Sequence, residues 1–282
     1  MINRLSLLAV LASSLLISCI ESPIQTKNFG NSSKVGKYIN IRGINMYYET
    51  YGNGEPLLLI HGNSGSIVSF RYQIPYFSKK YKVIVADSRS QGKSVDVGDS
   101  LSYEMMADDF GLLLDSLRID SCFVIGWSDG GINGLLLAIR HPEKVKKLAI
   151  SGANLWPDTT AIDKNVWNRM KGTITIDAQG KYDAEKKNRL KLTNLMLKEP
   201  NIPIWYLKKI GCPTLVIGGD HDAILPKHTL LIAESIPKSY LWILPNSGHS
   251  ILINQKDEFN KVVNEFFQKP YERIEGRDRL FK

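Results

Sequence analysis

Five residues centred on one serine constrain the fold of this chain more than any other feature. An apolar run at 122–125 is followed directly by Gly126-Trp127-Ser128-Asp129-Gly130, which has the spacing G-x-S-x-G. This spacing is typical of a nucleophile elbow, a sharp strand-to-helix turn that lifts a serine hydroxyl above the carboxyl edge of a parallel sheet. Glycine is expected at both flanking positions because a side chain there would collide where strand and helix cross. A glycine-rich turn with an incidental serine has the same pattern, so the rest of the chain must distinguish the two.

Continuous apolar runs alternate with segments of helical periodicity along the rest of the chain. The sequence predicts a hairpin over 38–51 and, after it, buried strands over 57–60, 83–86, 122–125, 146–151, 213–217 and 240–244. Helices are predicted over 67–79, 103–117, 131–140, 228–236 and 255–267. Apolar strands that alternate with helices indicate an α/β fold with a mostly parallel sheet covered by helices on both faces.

The pattern is interrupted once, and this interruption sets the domain organisation. Residues from about 152 to 209 are polar and helical in character, which predicts a small cap inserted over a single domain that spans 37–269. Residues 270–282 form a charged tail, in which Ile274-Glu275-Gly276-Arg277 has no assigned function. A length of 282 residues is ordinary for one large domain with a sizeable core.

The N-terminus has the features of an export signal. Residues 1–18 combine an early arginine with an apolar run too short to span a bilayer, and Leu16-Ile17-Ser18-Cys19 resembles the lipobox of bacterial lipoproteins. We therefore expect export from the bacterial cytoplasm, cleavage before Cys19, a lipid on that cysteine, and a polar tether over 19–36. A soluble secreted or periplasmic protein is the alternative, with Cys19 only an accident of the cleavage region.

Composition excludes several other classes of protein. The formal charge is +8, but the lysines are spread along the chain and do not alternate with aromatic residues as in a nucleic-acid groove. We therefore expect no nucleic-acid partner, and contact with a membrane only through the N-terminal lipid. Outside the signal the chain has two cysteines, Cys122 and Cys212, which do not make a disulfide framework.

Two further residues complete the chemistry that a serine nucleophile needs. A serine hydroxyl requires a base within hydrogen-bond reach, and the base requires an orienting carboxylate. The order serine, acid, histidine is met by Ser128, Asp222 and His249, and the last two follow strands of the same predicted sheet. Asp220 is the alternative acid. Of the five histidines, only His249 lies in a glycine-containing loop after the last strand.

Acyl transfer also needs donors for the negative charge that develops on the carbonyl oxygen. Such donors are backbone N–H groups of the residue after the nucleophile and of a loop after an earlier strand. These positions correspond to Asp129 and, in His61-Gly62-Asn63, to Asn63, with His61 bracing the loop. This chemistry requires neither a metal nor an organic cofactor.

Taken together, these motifs resemble the α/β-hydrolase superfamily, of the single-domain esterase type. The residues that carry the resemblance are the hairpin, His61-Gly62-Asn63, the D-x-R-x-x-G-x-S pattern that starts at Asp87, the elbow, and the loops at 219–222 and 247–249. The family pattern of a glycine three residues before the acid favours Asp222 over Asp220. Within the superfamily, residues 126–131 and 151–154 resemble the valacyclovir hydrolase, or biphenyl hydrolase-like, proteins, which cleave α-amino-acid esters.

This resemblance implies a substrate-binding role for one further side chain. In that family the acidic residue after the serine holds the substrate ammonium group, and it corresponds to Asp129. The alternative is that the Asp129 side chain only favours the positive end of a helix. The N-terminal lipobox departs from the intracellular members of the family.

The sequence thus predicts a serine hydrolase that cleaves a small ester or amide, with an α-amino-acid ester as one candidate. A C–C bond hydrolase or a cofactor-free perhydrolase on the same triad is an alternative. From another class, a non-catalytic lipid-anchored binding protein would have the same scaffold. An intact set of Ser128, Asp222 and His249 argues against that last hypothesis, because a binding protein has no use for all three.

Overall fold

The computed structural model describes residues 28–177, 183–275 and 278–281 of the chain. The predicted signal peptide, Cys19 and the first part of the tether lie outside these residues, as do three residues of the charged tail. Within the described residues, no helix is long and apolar enough to cross a membrane.

Eight strands form one mostly parallel sheet, as the sequence predicted. The order across the sheet is β1-β2-β4-β3-β5-β6-β7-β8, with β1 and β2 antiparallel to their neighbours and the other pairs parallel. Arg42 and Gly43 both have positive φ, which matches the tight turn that joins the hairpin strands. The strands are β1 Lys37–Ile41, β2 Ile44–Tyr51, β3 Glu55–Ile60, β4 Tyr81–Ala86, β5 Cys122–Trp127, β6 Val145–Ser151, β7 Thr214–Gly219 and β8 Ser239–Leu244.

Helices cover both faces of this sheet and enclose one apolar core on each face. Helices α2, α3 and α6 pack on one face, and α1, α7 and α8 pack on the other. The helices are α1 Gln73–Phe77, α2 Tyr103–Ser116, α3 Asp129–Arg140, α4 Lys164–Asp177, α5 Ala184–Lys198, α6 Pro226–Ser235, α7 Ile251–Asn254, α8 Lys256–Gln268 and α9 Asp278–Phe281. Because helices bury both faces of the sheet, the central strands consist of uninterrupted apolar residues.

One predicted helix is divided in the structure. The sequence predicted a single helix over 67–79, but a 3-10 helix at Ile67–Phe70 is followed by a separate α1. Pro75 supplies the physical reason, because it has no N–H and cannot continue a helix that has already formed a turn. With α1 beginning at Gln73, the proline lies in the first turn, where the missing donor costs little.

The end of the predicted tether is attached to the domain. The carboxylate of Glu49, buried on β2, accepts hydrogen bonds from the backbone N–H groups of Gly30 and Ser32, both at 2.9 Å. It also accepts hydrogen bonds from the hydroxyls of Tyr47 and Tyr51, both at 2.7 Å. Residues 28–36 therefore pack on the sheet edge, and chain that the sequence assigned to the tether contributes to the domain surface.

Helices α4 and α5 form the body of the insertion between β6 and β7. The two helices pack against each other, and the segment after them returns through a 3-10 helix at Ile204–Lys209. The insertion places α5 beside the carboxyl ends of the central strands, where its residues contact the loops that follow β3 and β4. This contact is what brings side chains of the cap to the site described next.

Candidate active site

The turn at Ser128 has the strained geometry of a nucleophile elbow. Ser128 lies between β5 and α3 with φ 57° and ψ −122°, a conformation that is costly for a residue with a side chain. A Cβ atom at Gly126 would lie 2.2 Å from the carbonyl oxygen of Gly130, and one at Gly130 would lie 1.9 Å from that of Ile60. The prediction that both positions require glycine for steric reasons is confirmed.

The structure brings Ser128, His249 and Asp222 into one hydrogen-bonded chain. His249 Nε2 lies 2.9 Å from Ser128 Oγ, and His249 Nδ1 lies 2.6 Å from Asp222 Oδ1. The Asp222 side chain is fully buried, whereas 27% of the His249 side chain is exposed. Asp222 Oδ1 also accepts a hydrogen bond from the backbone N–H of Ile224 at 3.0 Å, which holds the carboxylate in place.

Asp220, the alternative acid, has a different set of partners. Its carboxylate accepts hydrogen bonds from the backbone N–H groups of Asn246 and Ser247, at 2.9 and 3.0 Å. These bonds, and the neighbouring His221, hold the pKa of Asp220 below its usual range. Asp220 thus braces the loop that carries His249, and the contact with the imidazole is made by Asp222.

The remaining histidines make contacts that belong to the scaffold. His228 Nε2 accepts a hydrogen bond from the backbone N–H of Leu155 at 3.0 Å, and burial lowers the pKa of His228 to about 4. His141, at the end of α3, lies 2.9 Å from the carboxylate of Asp108. His221 is exposed beside Asp220.

The loop that carries Asn63 lies directly against the serine. A Cβ atom at Gly62 would lie 2.9 Å from Ser128 Cβ, so glycine permits this approach. The buried His61 binds backbone on both sides, because its Nδ1 lies 2.8 Å from the oxygen of Gly62 and its Nε2 accepts from the N–H of Ser88 at 3.0 Å. Burial lowers the pKa of His61, which favours the neutral ring that these two bonds need.

Asp129 is the first residue of α3, and its side chain is buried beside the serine. Asn63 Nδ2 donates to Asp129 Oδ2 at 2.8 Å, and the hydroxyl of Tyr103 lies beside the same carboxylate. Burial raises the pKa of Asp129, and the neighbouring Asn63 and Tyr103 side chains oppose this rise. The sequence placed Asn63 and Asp129 near the serine, but their side-chain contact and the role of Tyr103 were not predicted.

A glycine after β6 is a further site residue, which the sequence analysis placed in the 151–154 motif without giving it a role. Gly152 has φ +66°, and a Cβ atom there would lie 2.6 Å from His249 Cε1 and 2.8 Å from His249 Nδ1. The imidazole therefore occupies space that a side chain at 152 would need. Only the assembled sheet brings the loop after β6 against the loop after β8, so no local sequence signal marks this contact.

A cavity of about 200 Å³ lies above Ser128 and under the cap. The cap contributes apolar residues and Glu199 to its wall, and the second acidic residue is Asp129; Glu199 was not predicted from the sequence. Among the described residues, no group of three histidine, cysteine or acidic side chains is arranged to hold a metal ion. The lining residues are Tyr103, Ser128, Asp129, Asn154, Ile162, Val166, Met170, Met196, Glu199, Ala223, Ile224 and His249.

Comparison with known proteins identifies the fold of this chain. A family model described as the alpha/beta hydrolase fold matches residues 55–181. The esterase of Exiguobacterium antarcticum has the same fold, with a TM-score of 0.71 at 21% sequence identity over 83% of this chain and 100% of the esterase. Together with the eight-stranded sheet, these matches show that the chain has the α/β-hydrolase fold.

Two curated proteins are similar over nearly the whole chain. Serine hydrolase BPHL of Mus musculus is 29% identical over 270 residues, which cover 89% of this chain and 92% of that protein. The 2-hydroxymuconate semialdehyde hydrolase of Pseudomonas sp. (strain CF600) is 27% identical over 269 residues, which cover 84% of this chain and 95% of that enzyme. The predicted resemblance to biphenyl hydrolase-like proteins is confirmed. The chain is also similar, to a comparable extent, to a C–C bond hydrolase.

Proposed function

We propose that this hydrolase cleaves small esters or amides through an acyl-enzyme intermediate, with Ser128 as the nucleophile. The observation that carries the proposal is the hydrogen-bonded chain from Ser128 through His249 to the buried Asp222 at the floor of the cavity. In a neutral imidazole, Nδ1–H donates to Asp222 and leaves the Nε2 lone pair for the serine proton. Asp222 therefore holds the ring in the tautomer that makes His249 a base.

Each proton in the proposed reaction moves through His249. Ser128 Oγ attacks the carbonyl carbon while His249 takes its proton, and His249 then gives that proton to the departing alcohol or amine. Water attacks the acyl-enzyme in the same way, which releases the acid and restores the serine. The backbone N–H groups of Asn63 and Asp129 are our candidates for the oxyanion donors, and loss of one such donor raises the barrier by about 3 kcal/mol in other enzymes.

The proposed substrates are α-amino-acid esters, because of the position of Asp129. The Asp129 carboxylate lines the same cavity as Ser128, so an ammonium group on the carbon next to the scissile carbonyl would be within its reach. The carboxylate keeps acceptor capacity beyond its contacts with Asn63 and Tyr103. The similarity to serine hydrolase BPHL supports the same choice.

A C–C bond hydrolase is the second candidate, favoured by the similarity to 2-hydroxymuconate semialdehyde hydrolase. A muconate carries carboxylate charge. The acidic cavity wall at Asp129 and Glu199 would repel such a substrate, since like charges in a partly desolvated site disfavour each other. The negative charge of the cavity wall therefore favours ester or amide cleavage over hydrolysis of a C–C bond.

A fluorophosphonate probe followed by a substrate panel tests the proposal. We expect the probe to label wild-type protein and not Ser128→Ala, with the label located on the peptide that contains Ser128. The panel contains p-nitrophenyl esters, aminoacyl esters and vinylogous diketones. Absence of labelling would favour a binding protein instead, and turnover of the diketones alone would favour the C–C hydrolase.

We also propose that the protein is exported and carries a lipid on Cys19. The support comes from residues 1–19 of the sequence, which lie outside the described part of the structure. A lipid at Cys19 would attach the catalytic domain to a membrane surface through about ten residues of polar chain. A single cleaved signal with a soluble mature protein is the alternative.

A further inference from the structure

Glu199 supplies a second carboxylate to the cavity that contains Ser128. The residue follows the last residue of α5 in the cap, and it lines the cavity together with Asp129 and His249. Its Oε2 accepts a hydrogen bond from the backbone N–H of Tyr103 at 3.1 Å. None of the chemistry proposed above uses this carboxylate.

Tyr103 contacts one acidic group and lies beside the other. Its backbone N–H donates to Glu199 Oε2, and its hydroxyl, at the other end of the side chain, lies beside Asp129. Tyr103 is itself buried, and it begins α2, whose N-terminus is capped by the Ser102 side chain. The two carboxylates come from different elements, Asp129 from the start of α3 and Glu199 from the residue after α5, and both line the cavity.

A positive charge beside each carboxylate would be stabilising. Burial raises the pKa of both Asp129 and Glu199, because it removes water that would stabilise the charged form, and the nearby charge of Glu104 raises that of Glu199 further. A bound ammonium group would supply the missing stabilisation. Among the described residues that line the cavity there is no lysine or arginine. Glu199 also lines the adjacent outer groove, whose lysines are Lys187, Lys191 and Lys198, and the first two of these pair with Asp99 and Asp96.

The cavity wall that faces the two carboxylates suits an aliphatic chain. Val166, Met170 and Met196 line the cavity from the cap, and Ile162 and Ile224 complete its apolar side. Methionine side chains are flexible enough to pack along an extended stem. An acyl group bound here would have methylene groups against this wall and polar ends towards Asp129 and Glu199.

We propose that Glu199 is a specificity-determining residue that binds a second positive charge on the acyl group of the substrate. The substrate class is then an ester or amide of a diamino acid, with the α-ammonium on Asp129 and the side-chain ammonium on Glu199. This inference rests on the proposed function, because it needs Asp129 to hold the α-ammonium next to the scissile carbonyl.

A pair of substrates that differ by one ammonium group tests this assignment. L-lysine ethyl ester and L-norleucine ethyl ester have the same carbon skeleton. We expect wild-type kcat/KM to be roughly tenfold higher for the lysine ester, as a hydrogen bond to a charged group implies. Glu199→Gln removes this preference, and its amide oxygen still accepts the N–H of Tyr103.

A matched control separates a local contact from a general change in charge. Glu104→Gln removes the same charge from the first turn of α2, at a residue that does not line the cavity. It should leave the lysine preference within about twofold of wild type. Equal turnover of both esters by wild type, or an equal loss on both in Glu199→Gln, would overturn the assignment and leave Glu199 as a residue that only joins cap and helix.

Direct binding distinguishes failure of this inference from failure of the proposed function. If wild type cleaves neither ester, the proposed cleavage of α-amino-acid esters fails. Calorimetry with Ser128→Ala and the two amides, L-lysinamide and L-norleucinamide, still tests Glu199. The second cation site is supported if Ser128→Ala binds lysinamide more tightly than norleucinamide and the added Glu199→Gln change abolishes this difference. Equal binding of the two amides by Ser128→Ala contradicts it.

Discussion

Asp129 is the residue on which the choice of substrate depends most directly. It follows the proposed nucleophile, its side chain is buried, and the side chains beside it, Asn63 and Tyr103, are both neutral. Neutral neighbours orient a carboxylate without neutralising its charge. The net negative charge therefore remains available to a cationic group of the substrate.

We expect Asp129→Asn to raise the KM for aminoacyl esters by at least tenfold and to leave p-nitrophenyl acetate nearly unchanged. The physical reason is that the amide keeps the size of the side chain but removes its charge, which only the ammonium substrate uses. Steady-state kinetics on the two substrate types measure the difference. An equal loss on both would mean that the side chain acts only through the fold of the elbow.

At the scale of elements, the site depends on loops that meet at the carboxyl edge of the sheet. Ser128 follows β5, Gly152 follows β6, Asp222 follows β7, and His249 follows β8. Because these strands are parallel and adjacent, their ends converge on one edge. The close approach of Gly152 to the imidazole shows how little space this convergence leaves.

We expect Gly152→Ala to lower kcat on the order of 100-fold, since displacement of a catalytic group by about 1 Å has effects of that size. The new methyl group would lie where the His249 ring is, and the positive φ adds strain at the same position. Gly211→Ala is the control, because a Cβ atom there meets nothing within 4 Å. The comparison needs kcat and the melting temperature of both variants, and a Gly152→Ala enzyme with normal kcat would contradict it.

Sequence patterns predicted most elements but not how they touch. The strands could be predicted because burial on both faces of the sheet requires continuous apolar runs. The long helices could be predicted from the regular periodicity of their apolar residues. The division of the helix at 67–79 was missed, although Pro75 was visible in the sequence. The contact of Gly152 with His249 and that of Tyr103 with Glu199 had no local signal, because each joins residues more than 90 positions apart.

For the whole molecule, the open question is how the catalytic domain is presented to its surroundings. Residues 28–36 pack on the sheet edge through Glu49, so only residues 20–27 would separate a lipid on Cys19 from the domain. The domain would then work close to a membrane surface.

We expect full-length protein made in a bacterium to incorporate labelled palmitate and to fractionate with membranes. Cys19→Ala should lose the label, because the thiol is the acceptor for the lipid. Cys212→Ala, at a free thiol within the domain, is the matched control and should keep it. Label that persists in Cys19→Ala, or wild type in the soluble fraction, would contradict lipidation at this residue.

The sequence by itself determined the α/β class, the elbow at Ser128 and the order of serine, acid and histidine, because these depend on periodicity and local steric rules. The tertiary structure decided which aspartate contacts His249 and which side chains surround the serine. Asp220 and Asp222 lie two residues apart and have the same chemistry, so only the positions of the loops after β7 and β8 distinguish them. Glu199 reaches the cavity only because the cap folds back over the sheet, and packing of that kind depends on the whole chain.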